Sequence, residues 1–134
     1  MWSNLQIWGD SLMKGVIFDE LRNRYTILKD NCASALKEIL PFPVENHARM
    51  GLTAAQAVEL TFDKPPAEGG LALIEFGGND CDMDWAAVAA DPGADHQPNT
   101  PPEQFAAQLE VLVARAREAG MRPMLAVRIG SVGS

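Results

Sequence analysis

The sequence predicts an α/β fold in which helices cover both faces of a parallel sheet. Four short apolar segments have the character of buried strands, and segments with helical periodicity separate them. The predicted strands are residues 5–8, 44–46, 71–76 and 123–127. Alternation of strand and helix favours parallel strands joined by helical crossovers. The third segment is almost continuously apolar, which is typical of a strand covered on both faces.

Capping signals mark the first two predicted helices. Asn31 is expected to begin a helix that runs to Leu40 and ends before Pro41. The predicted inner face of this helix consists of Ala33, Leu36, Ile39 and Leu40. Thr53 and Gln56 have the spacing of a capping box that begins the second helix. The residues of that helix at helical spacing are Ala54, Ala57, Val58, Thr61 and Phe62.

The strongest helical pattern begins near residue 100. Thr100 is expected to be its cap, Pro101 its first residue and Glu103 the closing member of a capping box. Gly120 is expected to end it. A long acidic loop, 77–99, precedes this helix. The apolar stripe that we expect to be buried on the sheet is Phe105, Leu109, Leu112, Val113 and Ala116.

A hairpin is predicted directly after the first strand and its turn. Residues 16–18 and 25–28 are rich in β-branched and aromatic side chains, and a charged segment, 19–24, lies between them. This pattern predicts two short strands joined by a turn.

Length, charge and cysteine content limit the kind of protein. With 134 residues, the chain is long enough for one domain with a core, and we expect a single domain over 1–134. A net charge of −7 disfavours nucleic acid and anionic lipid as partners. No apolar run reaches the ~20 residues of a membrane span, and the N-terminus lacks the pattern of a signal peptide. We therefore expect a cytoplasmic protein, with Cys32 and Cys81 as reduced thiols.

Three motifs follow the first three predicted strands in order. Gly-Asp-Ser-Leu occupies residues 9–12, a segment containing Gly51 occupies 46–53, and Gly-Gly-Asn-Asp occupies 77–80. Because the carboxyl ends of parallel strands meet at one edge of a sheet, these motifs are expected to lie together. In order and spacing they resemble the Ser, Gly and Asn blocks of the GDSL, or SGNH, hydrolase family. The resemblance implies a flavodoxin-like three-layer fold with strand order 2-1-3-4 and a fifth strand beside the fourth.

The same resemblance implies cleavage of an ester, such as an O-acyl group on a small molecule or sugar. Ser11 would be the nucleophile, and its backbone N–H, the Gly51 N–H and the Asn79 side-chain amide would form the oxyanion hole. The implied supporting residues are Gly9, Asp10, Gly77 and Asp80, the two aspartates orienting loops rather than acting as bases. Taken singly, Gly51 also fits a turn glycine, and Asn79 also fits an asparagine that stabilises its own loop.

No cofactor or metal is implied by these motifs. Asp80, Asp82 and Asp84 have the spacing that begins a calcium loop, but Trp85 occupies the position where that loop requires glycine. A solvated acidic loop is the preferred interpretation. No Gly-x-Gly-x-x-Gly or Walker sequence occurs, which disfavours a nucleotide-binding flavodoxin-like module.

The motifs do not supply a general base. The family's fourth block, Asp-x-x-His, has no counterpart, and neither His47 nor His96 stands where that block would. A serine without a base is a poor nucleophile. Two hypotheses follow: a hydrolase whose chain is truncated relative to the family, and an inactive remnant that binds a small polar ligand. We also expect self-association through the fourth strand as an exposed edge.

Overall fold

The structure, a computed structural model, describes residues 2–60 and 69–126. Predictions for Thr61, Phe62 and Val127 fall outside these ranges. The elements in chain order are β1 (Leu5–Gly9), α1 (Ser11–Lys14), β2 (Val16–Asp19), β3 (Arg24–Ile27), α2 (Cys32–Ile39), β4 (Val44–Asn46), α3 (Ala54–Leu60), β5 (Leu71–Glu75), α4 (Trp85–Ala90), α5 (Pro102–Glu118) and β6 (Arg122–Leu125).

Four parallel strands form the central sheet in the order β4-β1-β5-β6. Leu5 of β1 is level with Val44 on one side and with Leu71 on the other. Leu71 is in turn level with Arg122 of β6. The order is the predicted 2-1-3-4 arrangement of the parallel strands, and the predicted α/β class is confirmed.

Alternate side chains of β1 enter two separate hydrophobic clusters. Leu5 and Ile7 belong to the cluster beneath α2, whereas Trp8 belongs to the cluster beneath α3 and α5. Successive side chains of a strand point to opposite faces of the sheet, so each face carries its own core. Helices therefore cover both faces of β1, which is why this strand is fully buried.

Helix α2 begins as predicted but does not bury its whole predicted face. The Asn31 side chain accepts the Ser34 N–H, and the Ser34 hydroxyl accepts the Asn31 N–H. Ala33 is buried and Leu36 packs beside it. The expectation for Ile39 is wrong: its side chain is 74 % exposed. It is the last residue of the helix, and Leu40 and Phe42 after it pack against the cluster.

The start of α5 differs from the prediction. Pro101 is the cap, Pro102 is the first helical residue, and no side chain caps the helix. The Thr100 hydroxyl instead donates to the carboxylate of Asp80, 2.8 Å away. A local capping signal was overridden here by a tertiary hydrogen bond.

The buried stripe of α5 is narrower than predicted. Leu112 and Ala116 are fully buried, and Phe105 and Leu109 are partly buried against the same cluster. Val113 is only half-buried. The helix ends as predicted, because Gly120 adopts a φ of +79° and Met121 donates its N–H to the Ala116 carbonyl.

The predicted hairpin is present as β2 and β3, outside the central sheet. Phe18 and Tyr25 pair across it in an edge-to-face contact, with ring centroids 5.2 Å apart. In the described ranges, no helix is long and apolar enough to cross a membrane.

Candidate active site

Ser11 is the first residue of the short helix α1, directly after the end of β1. Asp10 is its N-cap: the carboxylate is 1 % exposed and accepts the Leu12 N–H at 2.9 Å. The Ser11 N–H is one of the first amides of α1, and such amides have no acceptor within their own helix. Ser11 is half-buried, so the residue lies near the surface rather than in the core.

Gly9 allows the end of β1 to lie very close to its neighbours. A Cβ at this position would lie 2.9 Å from Met13 Cγ and 3.0 Å from the Glu75 carbonyl oxygen. Both distances are shorter than ordinary van der Waals contact. Gly9 thus lets α1 fold back over the strand, which sets the position of Ser11.

The second motif is hydrogen-bonded to the first. The Arg49 N–H donates to the Gly9 carbonyl at 3.0 Å, which extends the β1–β4 pairing past the end of β4. The Asn46 side chain donates to the Met13 carbonyl at 2.8 Å and accepts the Ala48 N–H at 3.0 Å. Asn46 therefore joins the motif to α1, a role that its place in the sequence did not reveal.

Gly51 lies in an exposed turn before α3. Its φ is +76°, and a Cβ there would have no atom within 4 Å. The glycine is thus required by the left-handed backbone and not by crowding. The next residues confirm the predicted capping box, because Thr53 and Gln56 exchange side-chain and backbone hydrogen bonds at 3.1 and 3.3 Å.

The third motif contacts both of the others. Gly77 follows β5, and its carbonyl accepts the Cys81 N–H at 2.9 Å, which closes the turn. A Cβ on Gly78 would lie 3.2 Å from Asp10 Oδ2, so the first and third motifs are neighbours. The Asn79 side-chain amide donates to the Leu52 carbonyl at 3.0 Å, which joins the third motif to the second.

Asp80 anchors the start of α3 from within the protein. Its side chain is 2 % exposed, and its two carboxylate oxygens each lie 3.1 Å from the Ala54 nitrogen. The Thr100 hydroxyl supplies a further donor. Asn99 extends this network by donating to the Asn79 carbonyl at 2.9 Å. Neither Asn99 nor Thr100 was predicted to support the site, because both contacts join segments about 20 residues apart.

The structure therefore brings the three motifs together at the carboxyl edge of the sheet. Ser11 follows Asp10, which lies against Gly78, while Asn79 is bonded to the turn that contains Gly51. Convergence of the Ser11, Gly51 and Asn79 donors on a single point stays a prediction.

His47 is bonded away from Ser11. Its Nε2 lies 2.6 Å from Gln6 Oε1, and its ring stacks on Trp8 with centroids 5.2 Å apart. Desolvation by burial lowers the pKa of His47, an effect that Glu45 opposes and Arg49 reinforces. The neutral imidazole is thus the favoured form.

His96 is also bonded elsewhere, since its Nε2 contacts the carbonyl of Asp91. In the described part of the chain, no hydrogen bond joins either histidine to Ser11. Within the same ranges, no three histidine, cysteine or acidic side chains lie close enough to hold a metal ion. Asp82 and Asp84 have other contacts: Asp82 accepts from the Trp85 indole, and Asp84 caps α4.

Comparisons by sequence and by structure differ in outcome. No family model matches the sequence, and no curated protein sequence is significantly similar to it. The fold, however, is similar to many solved structures. One is a lipolytic protein assigned to the G-D-S-L family, from Desulfitobacterium hafniense DCB-2, with 17% identity and a TM-score of 0.62 over 98% of this chain and 62% of that chain.

Two further structures are similar to nearly the same extent. TesA is 22% identical, with a TM-score of 0.59 over 92% of this chain and 59% of that chain. The esterase EstA from Pseudoalteromonas sp., solved in a form inhibited by monoethylphosphonate, is 16% identical, with a TM-score of 0.57 over 92% of this chain and 58% of that chain. The chain thus has the fold of GDSL and SGNH hydrolases, and it spans about three-fifths of their length.

Proposed function

We propose that this chain carries the nucleophile and oxyanion hole of a serine hydrolase that cleaves O-acyl esters of small molecules or sugars. The observation that carries the proposal is the junction of the three motifs: Asp10 against Gly78, and Asn79 bonded to Leu52. The shared fold of the lipolytic and esterase structures supports it.

In the proposed reaction, the Ser11 hydroxyl oxygen attacks the carbonyl carbon of the ester. The carbonyl oxygen becomes an oxyanion, which accepts hydrogen bonds from the N–H groups of Ser11 and Gly51 and from the Asn79 amide. The Asn79 nitrogen has two hydrogens, and its bond to Leu52 uses only one of them. Collapse of this tetrahedral intermediate breaks the ester C–O bond, and the alcohol leaves with a proton that replaces the one lost by Ser11. Water then attacks the acyl group left on Ser11, which releases the carboxylic acid and returns the serine hydroxyl.

Each preorganised donor in such a site typically contributes ~3 kcal/mol to stabilisation of the transition state. The serine proton must also reach a base, and both histidines have other partners. A serine without a base reacts slowly. We therefore expect the 134-residue chain to hydrolyse p-nitrophenyl acetate only slightly faster than buffer.

A phosphonate probe tests the nucleophile separately from turnover. The chain is incubated with an activated p-nitrophenyl ethylphosphonate, and its intact mass is followed with time. Because each chain needs to react with the probe only once, the adduct accumulates with time and is detected even when the nucleophile is slow. We expect one adduct, located on Ser11 by peptide mapping and absent from Ser11→Ala. The matched control, Ser3→Ala, removes another serine and should label like the parent chain.

Labelling elsewhere, or equal labelling of Ser11→Ala, would refute the role of Ser11.

The second candidate function, a ligand-binding module without catalysis, is favoured by one observation: both histidines are engaged away from Ser11. It predicts neither an adduct nor hydrolysis above buffer. Rapid hydrolysis that is lost in His47→Ala or His96→Ala would instead identify a base among these histidines.

A further inference from the structure

An apolar groove of about 420 Å³ lies between α5 and β6 in the described part of the chain. Leu109, Val113 and Leu125 line it. Leu125 is level with Ile74 on the neighbouring strand β5. Ile74 is buried in the core, whereas Leu125 is 48 % exposed. Val113 lies along this groove and is only half-buried, contrary to the sequence-based expectation.

Two side chains of opposite charge also line this groove. They are Glu110 and Arg117, which are seven residues apart on α5. Seven residues make almost two helical turns, so both side chains lie on one face, separated by about 10 Å along the axis. The midpoint between them falls between Val113 and Ala114. The face is therefore complementary in charge to a second, antiparallel copy of itself.

The edge of β6 is less suited to pairing than its apolar character suggests. The N–H groups of Arg122 and Ala126 point toward β5, where they donate to Gly70 and Ile74. Because backbone groups alternate along a strand, Pro123 points to the outer edge, and proline has no N–H to donate. Proline at such a position protects an edge strand from addition of another strand.

We propose that the 134-residue chain forms a twofold-symmetric dimer in which the α5 face of one copy packs antiparallel on the same face of another. The twofold axis passes between Val113 and Ala114. Each Glu110 then faces Arg117 of the other copy, which gives two ion pairs for one interface. Small and medium-sized side chains at the centre allow close approach of the helices. The interface is isologous, as in most symmetric dimers.

Sedimentation velocity over a range of protein concentrations tests the proposal. We expect a concentration-dependent equilibrium between monomer and dimer. Glu110→Arg or Arg117→Glu places like charges opposite each other at two positions and should weaken the dimer by about tenfold. The double variant, Glu110→Arg with Arg117→Glu, restores opposite charges and should restore the dimer.

The matched control is Glu118→Arg, a charge reversal of the same kind on an exposed position of α5 outside the groove. It should dimerise like the parent chain. Circular dichroism and denaturant unfolding establish that each variant is folded. A monomer at all concentrations, single reversals that behave like Glu118→Arg, or a folded double variant that stays monomeric would each overturn the proposal.

Discussion

Both carboxylate oxygens of Asp80 lie 3.1 Å from the backbone nitrogen of Ala54, at the first turn of α3. This contact joins the motif after β5 to the helix that follows Gly51. The Thr100 hydroxyl completes the set of donors around the same buried carboxylate. Asp80 is thus the point where the second motif, the third motif and the entrance to α5 are held together.

Asp80→Ala is expected to destabilise the protein by about 2–4 kcal/mol. The change leaves the Ala54 N–H and the Thr100 hydroxyl without their buried acceptor, and an unsatisfied buried group typically costs ~1–3 kcal/mol. The free energy of unfolding in urea provides the measurement. Asp95→Ala, at an exposed position of the acidic loop, is the control and should change it by less than ~0.5 kcal/mol. Equal effects of both changes would contradict the anchoring role.

The two glycines of the first two motifs are expected to resist substitution for different reasons. Gly9→Ala forces a Cβ against the Glu75 carbonyl and should cost ~1–3 kcal/mol through overpacking. Gly51→Ala has free space but a φ of +76°, and should cost ~1–2 kcal/mol through backbone strain.

Gly93→Ala is the control for both substitutions. Its nearest atom to a new Cβ is 3.9 Å away, and its φ is not positive. Denaturant unfolding should therefore show little loss of stability. If Gly9→Ala were as stable as Gly93→Ala, the close approach of Met13 and of the Glu75 carbonyl to Gly9 would be refuted.

Leu112→Ala is expected to cost ~2–5 kcal/mol, because Leu112 is 1 % exposed and its truncation leaves a cavity in the core beneath α5. Val111 precedes it on the same helix and is 38 % exposed. Val111→Ala should change the free energy of unfolding by less than ~0.5 kcal/mol. A small effect at Leu112 would mean that α5 does not pack on the sheet as described.

Stability is expected to fall as the pH is lowered through the titration of His47. Burial holds its pKa in the folded protein below the value of about 6.5 in the unfolded chain. The contribution of the neutral imidazole is therefore present above pH ~6.5 and is lost as the pH falls through the lower pKa of the folded state. Urea unfolding at a series of pH values below ~6.5 measures this loss.

His47→Gln removes the titrating group and should flatten that pH dependence relative to the parent chain. His96→Gln is the matched control, because the Nε2 atom of His96 contacts the backbone carbonyl of Asp91 within the acidic loop. An unchanged pH profile in His47→Gln would show that other groups cause the loss of stability at low pH.

Local sequence patterns were sufficient wherever one segment contains all the interacting groups. The predicted cap at Asn31 accepts from Ser34, and the predicted exchange of Thr53 and Gln56 begins α3; each contact lies within four residues. Strand order also followed from the motifs, since the fold they resemble has the order β4-β1-β5-β6 found here. The hairpin of β2 and β3 was recognisable from its β-prone segments alone.

Patterns failed where a distant residue competes with a local partner. Thr100 has the spacing of a helix cap, yet its hydroxyl bonds Asp80 and α5 begins without a side-chain cap. Ile39 and Val113 fit the helical periodicity of buried residues, but Ile39 is 74 % exposed, and Val113 is half-buried beside the groove that Leu125 also lines. Periodicity identifies the apolar face of a helix, whereas burial depends on how much sheet is present beneath that face.

By itself, the sequence determined the alternation of strands and helices, the cap at Asn31, the capping box of Thr53 and Gln56, and the three motifs, because each depends on side chains that are close along the chain. Tertiary structure decided which of those motifs touch: Asp10 meets Gly78, Asn79 bonds Leu52, and Asp80 holds Ala54 and Thr100. It also directed His47 to Gln6 and Trp8. These contacts join segments tens of residues apart, and they exist only after the sheet has brought its strand ends together.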